Sequence, residues 1–247
     1  MTFLLVDNSN TRTKFATASA ETLSGWQSII PTKNITEDNL ESLLSDQSWD
    51  AAIVSSVVPE KSYILESYFG KIGPCLMISY QSNLPIDIDY PKPAQIGADR
   101  LANAAAAFTL FGSPCVVLDF GTAVTFDIIS KGKEKSLYQG GVIAPGLASM
   151  TEGLARRTAL LPHIQLEEPK NVIGKSTEEA MLAGAIYGYR GLVREILAQI
   201  EKELQETPTI IATGGDAALI IKGLPEICHH SPQLTLEGLR IIANLHF

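Results

Sequence analysis

Val116-Val117-Leu118-Asp119-Phe120-Gly121-Thr122-Ala123 is the stretch that decides the fold. An apolar run of strand length ends in aspartate, a turn with glycine and threonine follows, and a strand-like stretch containing Thr125 comes next. The amino terminus repeats the plan: Leu4-Leu5-Val6-Asp7, a polar turn, then a strand containing Thr13 and Lys14. The offset between the two aspartates (119 minus 7, or 112) is nearly half of the 247-residue chain. Two copies of one unit at that separation point to a duplication. A carboxylate at the end of a buried strand is costly unless it is partnered, so both aspartates are candidates for a task.

Outward from these hairpins, strands are expected at residues 26–30, 51–54 and 75–78. Helices are expected from Thr36 to about residue 45 and from Pro59, whose ring suits a first helical turn. Residues 80–96 read as a long loop with Pro85, Pro91 and Pro93, and a loop of that length in a compact domain is usually functional. An alanine-rich helix follows over 97–111. The later half continues through a strand to residue 143, a helix from about Pro145, a long helix from Thr177 to about Leu204 and a strand at 209–212. Helices from Asp216 and Thr235 close the chain. Alternating strands and helices give an α/β class. The hairpin that opens each half argues against a plain parallel sheet, so two lobes with mixed sheets and a central cleft are expected, over residues 1–114 and 115–247.

Composition narrows the partners. The chain is 45% hydrophobic and 19% charged, as a globular protein is, and carries a net charge of -8. That balance offers no footprint for nucleic acid or an anionic membrane, so any anion must be met by a locally built site. No apolar run is long enough to span a bilayer, and residues 1–7 read as a first strand rather than a signal peptide. The three cysteines, Cys75, Cys115 and Cys228, lack zinc or redox spacing and read as free buried thiols of a cytoplasmic protein. His229-His230 reads as a surface loop rather than a metal pair.

Phosphate chemistry needs backbone N–H groups near the anion and carboxylates for its cation. Gly174-Lys175-Ser176 resembles the end of a Walker A loop, but Pro169 stands where that pattern needs glycine, and a capped helix start at Ser176-Thr177 is the better reading. The hairpin turns are stronger. Asp7-Asn8-Ser9-Asn10-Thr11 can wrap a phosphate, with Lys14 adding charge. In Asp119-Phe120-Gly121-Thr122-Ala123 the glycine permits close approach and the threonine hydroxyl can bond a phosphate oxygen. Thr213-Gly214-Gly215-Asp216-Ala217 joins a strand to a helix, and its paired glycines suit close passage of a flat ligand such as adenine.

Taken with Gly97-Ala98-Asp99-Arg100, the segment Gly140-Gly141-Val142-Ile143-Ala144-Pro145-Gly146 and the terminal Leu234-Thr235-Leu236-Glu237-Gly238-Leu239, these motifs resemble the type III pantothenate kinases. That family belongs to the acetate kinase, sugar kinase, heat-shock protein 70 and actin superfamily. The resemblance covers nearly the whole chain; each motif is short, and their joint order is specific. It implies a duplicated ribonuclease-H-like, actin-like ATPase fold and ATP-dependent phosphorylation of pantothenate to 4'-phosphopantothenate. It implies Asp7, Asn8, Ser9, Asn10, Thr11, Arg12, Thr13 and Lys14 as the ATP phosphate loop, with Thr122 a second phosphate contact. Tyr90, Gly97, Ala98, Asp99, Arg100 and Thr177 match pantothenate contacts, Asp99 also the catalytic base. The helix dipole at the start of the 97–111 helix favours the ionised form of Asp99. Asp119 matches the aspartate that binds a monovalent cation, K+ or NH4+, beside the Mg2+ that accompanies ATP. The glycine- and alanine-rich stretch 180–191 is implied in a homodimer interface; core packing within one subunit is the other reading. The family has glycine where Ser9 stands, and serine tolerates positive φ poorly. The scaffold also hosts other small-hydroxyl kinases, and the family has relatives that act as accessory transcription regulators.

Overall fold

A computed structural model describes residues 1–23 and 25–247. The chain forms two compact units: residues 1–112 with 132–139 and 233–247, and residues 113–131 with 140–232. The expected division at 114/115 lies beside this junction, and two short returns of the chain complete the first unit.

In the first unit, β1 (Thr2–Asn8) pairs antiparallel with β2 (Arg12–Ser19) and parallel with β4 (Ala51–Ser56). With β3 (Gln27–Pro31) and β5 (Cys75–Met77) the sheet runs β3-β2-β1-β4-β5. Leu4, Val6, Phe15, Ala52 and Val54 face a core closed by α1 (Glu37–Leu44) and α2 (Pro59–Ile72). Phe3, Leu5 and Ile53 are equally buried, which is why the strands read as unbroken apolar runs. The opposite layer is α3 (Ala98–Phe111) and α7 (Leu234–His246), packed on each other and on β4. Thr36 caps α1 by accepting the Asn39 N–H, and Pro59 occupies the first turn of α2.

The second unit repeats the order. β7 (Cys115–Phe120) pairs antiparallel with β8 (Ala123–Ser130) and parallel with β10 (Thr209–Thr213). With β9 (Leu137–Pro145) and β11 (His229–His230) the strands run β9-β8-β7-β10-β11, strand for strand the plan of the first sheet. The core of Val116, Leu118, Phe126, Ile186, Tyr189, Val193 and Leu197 is closed by α5 (Thr177–Leu204). Ser176 caps that helix through the Glu179 N–H at 3.1 Å, and the Glu179 carboxylate accepts the Lys175 N–H at 2.6 Å, so Gly174-Lys175-Ser176 is a helix start. The buried Arg190 grips both carboxylate oxygens of Glu168 at 2.7 and 2.8 Å. It also donates to the carbonyls of Leu219 and Ile220, beside α6 (Ala217–Ile220).

Four expectations change. Residues 80–96 contain β6 (Asp87–Ile88), parallel to Leu137 and Tyr138 of β9, a pairing across 50 residues that no local pattern announces. His229-His230 forms an exposed edge strand rather than a loop. The helix at Asp216 is only the four-residue α6. Burial pushes the Cys115 thiol up to about 12 and Cys75 to about 11, but Cys228 is exposed, so the thiols are not all buried. Among the described residues no helix is long and apolar enough to cross a membrane.

Candidate functional site

Both sheets put their polar turns at the carboxyl ends of two parallel strands, where open α/β sheets gather ligands. In the first unit these ends belong to β1 and β4. Asp7 lies opposite Lys14 in the hairpin register, and the Lys14 ammonium is 3.6 Å from its carboxylate. Asp7 is 3% exposed; the lysine and the Ser9 hydroxyl, 3.3 Å away, partner the charge that the sequence placed there. Lys14 is thereby engaged with Asp7. The Ser9 N–H donates to the Arg12 carbonyl at 3.1 Å, closing a tight turn with Asn10, Thr11 and Arg12 exposed at its tip. Among the described residues only Gln205 is a non-glycine with positive φ. Ser9 thus sits in ordinary backbone and is not strained in glycine's place.

Asn8 and Thr13 are turned inward. Asn8 is 1% exposed and Thr13 fully buried, and the Asn8 amide donates to the Thr13 hydroxyl at 2.6 Å. Their side chains support the loop and do not present themselves to a ligand. Ser56, at the end of β4, donates to the Asn8 carbonyl oxygen at 2.7 Å, and the Val57 N–H donates to the Asn8 backbone carbonyl at 3.1 Å.

Val57 is also the bridge to α3. A Cβ at Gly97 would stand 3.5 Å from the Val57 methyl and 2.5 Å from Asp99 Oδ1. The bare glycine thus lets the Asp99 carboxylate fold back over the helix start, where it accepts the Arg100 N–H at 2.8 Å. The phosphate-type loop and the Asp99 carboxylate therefore share one strand edge, joined through Val57. Burial raises the Asp99 pKa, outweighing the Arg100 N–H and guanidinium, which lower it. The helix start alone favours the anion; desolvation wins.

The Arg100 guanidinium lies over the Tyr138 ring, 5.9 Å from its centroid, and the Tyr90 ring meets the same tyrosine edge-on at 6.5 Å. Tyr138, fully buried on β9, thereby brings Tyr90 and Arg100 together. Sequence reasoning missed it, because a lone aromatic in a strand looks like any core residue. The β6–β9 pairing is what carries it to Tyr90.

In the second unit Asp119 and Thr122 share one turn. The Gly121 N–H donates to the carbonyls of Asp119 and Ala123 at 3.2 and 3.0 Å, and Gly121 and Thr122 are exposed. Two other segments close on this turn. A Cβ at Gly214, where φ is +95°, would lie 2.5 Å from Phe120 N and O and 2.6 Å from Asp119 Oδ1. One at Gly146 would lie 2.3 Å from the Gly121 carbonyl oxygen. Gly214 is thus spent on contact with the chain itself; at Gly215 nothing lies within 4 Å of a Cβ. Gly146 opens α4 (Leu147–Arg157), and its N–H and the Ser149 hydroxyl both bond the Thr122 carbonyl at 3.1 Å. Farther along α4, Met150 and Leu154 line a cavity of about 590 Å³ together with Thr177, Met181 and Leu161. Thr177 is on the exposed first turn of α5.

Among the described residues no group of three or more His, Cys, Asp or Glu could hold a metal ion by itself. A Mg2+ carried on nucleotide phosphates needs only one or two carboxylates and water, and Asp7 is the carboxylate at the base of the first turn. Asp119 is the carboxylate of the second turn, with Gly214 packed against it and against the Phe120 backbone.

A sequence model of the type III pantothenate kinase family matches residues 3–199. The type III pantothenate kinase of Akkermansia muciniphila is 54% identical over 246 residues, covering 100% of both chains. That of Methylacidiphilum infernorum is 41% identical over 98% of this chain and 88% of its own. A Baf-family protein from Campylobacter jejuni superposes with a TM-score of 0.60 at 18% identity, covering 97% of this chain and 96% of that one. The inorganic polyphosphate/ATP-glucomannokinase of Arthrobacter sp. strain KM gives 0.51 at 17%, covering 99% of each. At such identities the likeness is one of fold alone: the duplicated ribonuclease-H-like, actin-like ATPase fold.

Proposed function

The chain belongs to the type III pantothenate kinase family and catalyses ATP-dependent phosphorylation of pantothenate in coenzyme A biosynthesis, and on that premise we propose how its residues divide the work. The tip of the Asp7–Lys14 hairpin, at Ser9, Asn10, Thr11 and Arg12, holds nucleotide phosphates, with Asp7 and Lys14 at its base and Asn8 and Thr13 as its inner supports. Thr122 supplies a further phosphate contact. Tyr90, Gly97, Ala98, Arg100 and Thr177 hold pantothenate, and the Arg100 guanidinium suits its carboxylate. Asp99 takes the proton of the substrate hydroxyl. Phosphoryl transfer asks chiefly for positioning and charge neutralisation, so one carboxylate beside a phosphate loop is chemically sufficient.

The observation that carries this reading is Val57, its N–H bonded to the Asn8 carbonyl and its methyl beside Gly97. Asp99→Asn keeps the shape and removes the proton acceptor. It should bind ATP normally and lose turnover by about 10²–10⁴-fold; near-normal turnover would take the role from Asp99.

The reaction uses ATP with a divalent metal. Asp119 holds a monovalent cation, K+ or NH4+, which offsets charge gathering on the transferring phosphate. Exchanging K+ for Na+ should depress the rate of the native enzyme, and indifference to the exchange removes the assignment. A cytoplasmic homodimer belongs to the same reading, with the glycine- and alanine-rich stretch 180–191 of α5 as its interface.

A further inference from the structure

Beneath the first hairpin lies a row of side chains with no place among the ligand contacts above. Ser62 on α2 has its single hydroxyl proton shared between Ser56 Oγ at 2.8 Å and the Val58 carbonyl at 3.0 Å. Ser56 Oγ donates to Asn8 Oδ1 at 2.7 Å, and Asn8 Nδ2 to Thr13 Oγ1 at 2.6 Å. Thr13 Oγ1 is 3.0 Å from Thr32 Oγ1, and Thr32 Oγ1 donates to the Ser9 carbonyl at 2.6 Å. Thr32 begins the single 3-10 turn after β3, is 3% exposed, and its own N–H donates to the Thr11 carbonyl at 3.0 Å.

The direction of this row follows from its two ends. A carbonyl can only accept, so the single Thr32 hydroxyl proton is committed to Ser9. In the pair of threonines Thr13 must then be the donor, and its acceptor face takes the Asn8 amide. Asn8 in turn accepts from Ser56. From Ser56 onward every proton points one way, from the end of β4 to the backbone of the loop, and bonds aligned head to tail reinforce one another in a buried setting. Thr32 touches Ser9, Thr11 and Thr13, three alternate residues along one side of the turn.

We infer that Thr32 is a positioning residue for nucleotide binding, the last link of a directed hydrogen-bond row that fixes the backbone of the phosphate loop at Ser9 and Thr11. This rests on the assignment of the Asp7–Lys14 hairpin to phosphate, and it accounts for how a serine is accommodated where glycine is the family's choice. The loop's shape is imposed from beneath, by hydroxyls, rather than by freedom of its own backbone.

The test compares Thr32→Val, which keeps the shape and deletes the hydroxyl, with Thr32→Ser, which keeps the hydroxyl, in the full-length enzyme. Thr32→Val should raise the KM for ATP about tenfold, the equivalent of one hydrogen bond's net worth, and leave the KM for pantothenate within about twofold. Thr32→Ser should restore the ATP value. A merely structural threonine would lower the folded fraction and the apparent kcat while both KM values stayed put, and that result overturns the inference. Lys14→Ala is measured alongside. If it raises the ATP KM and Thr32→Val does not, the row has no positioning role; if Lys14→Ala also leaves ATP untouched, the hairpin assignment falls and takes this inference with it. Should Thr32→Val fail to fold, Ser56→Ala cuts the row at its half-buried far end. A severalfold rise in ATP KM is then expected, and an unchanged value overturns the inference.

Discussion

The two hairpin turns descend from one plan and are held by opposite means. In both, an aspartate ends a central strand, and the partner across the hairpin register is Lys14 for Asp7 and Thr125 for Asp119. The first turn is propped by side chains: Asn8, Thr13, Thr32 and Ser56 form a polar row under it. The second is propped by backbone, with Gly146 and Gly214 pressed so close that neither has room for a Cβ. A duplicated fold therefore conserves where a loop sits more strictly than what holds it there. The two supports fail differently, because a hydrogen bond can be lost singly whereas an inserted carbon must displace main chain.

That difference sets an order of sensitivity. Gly214→Ala combines a φ of +95° with a clash against Phe120 backbone and should cost about 3 kcal/mol or more in denaturant unfolding. Gly146→Ala has the clash without the φ and should come next. Thr13→Val removes one buried hydroxyl and should cost about 1–3 kcal/mol. Asn10→Ala, at the exposed tip, should stay within about 0.5 kcal/mol while weakening ATP binding. If Gly214→Ala unfolds at the wild-type midpoint, or if Thr13→Val proves the more damaging of the two, the contrast between backbone and side-chain support is wrong.

Much of this was legible in the residues themselves. Each strand–turn–strand unit announced itself by an apolar run that stops at aspartate, and Thr36, Pro59 and Ser176 marked helix starts because capping is local chemistry. The supports were not legible. Thr32 reaches Ser9 across 23 positions, and Tyr138 reaches Tyr90 only because two residues of β6 pair with β9. Gly214 was visible as a glycine, but its neighbour is a turn more than ninety residues away in sequence, not a ligand. For Asn8 and Thr13, polarity in a turn suggests contact with a ligand, and only the fold reveals that their side chains are buried and bonded to each other. For Asp99 the helix start was visible and the desolvation was not, so the direction of its pKa shift needed the fold.

That shift gives the most direct test of Asp99 as proton acceptor beside the phosphate loop. Burial raises its pKa, so the carboxylate is the form that folding disfavours, and the base becomes competent only as pH rises past a point above the ordinary aspartate value. The acid limb of kcat/KM for pantothenate, measured at saturating MgATP, should therefore fall above the usual aspartate range in the native enzyme and vanish in Asp99→Asn, whose residual rate should be flat there. An acid limb that survives Asp99→Asn unchanged would mean that another group takes the proton, and the assignment would be contradicted.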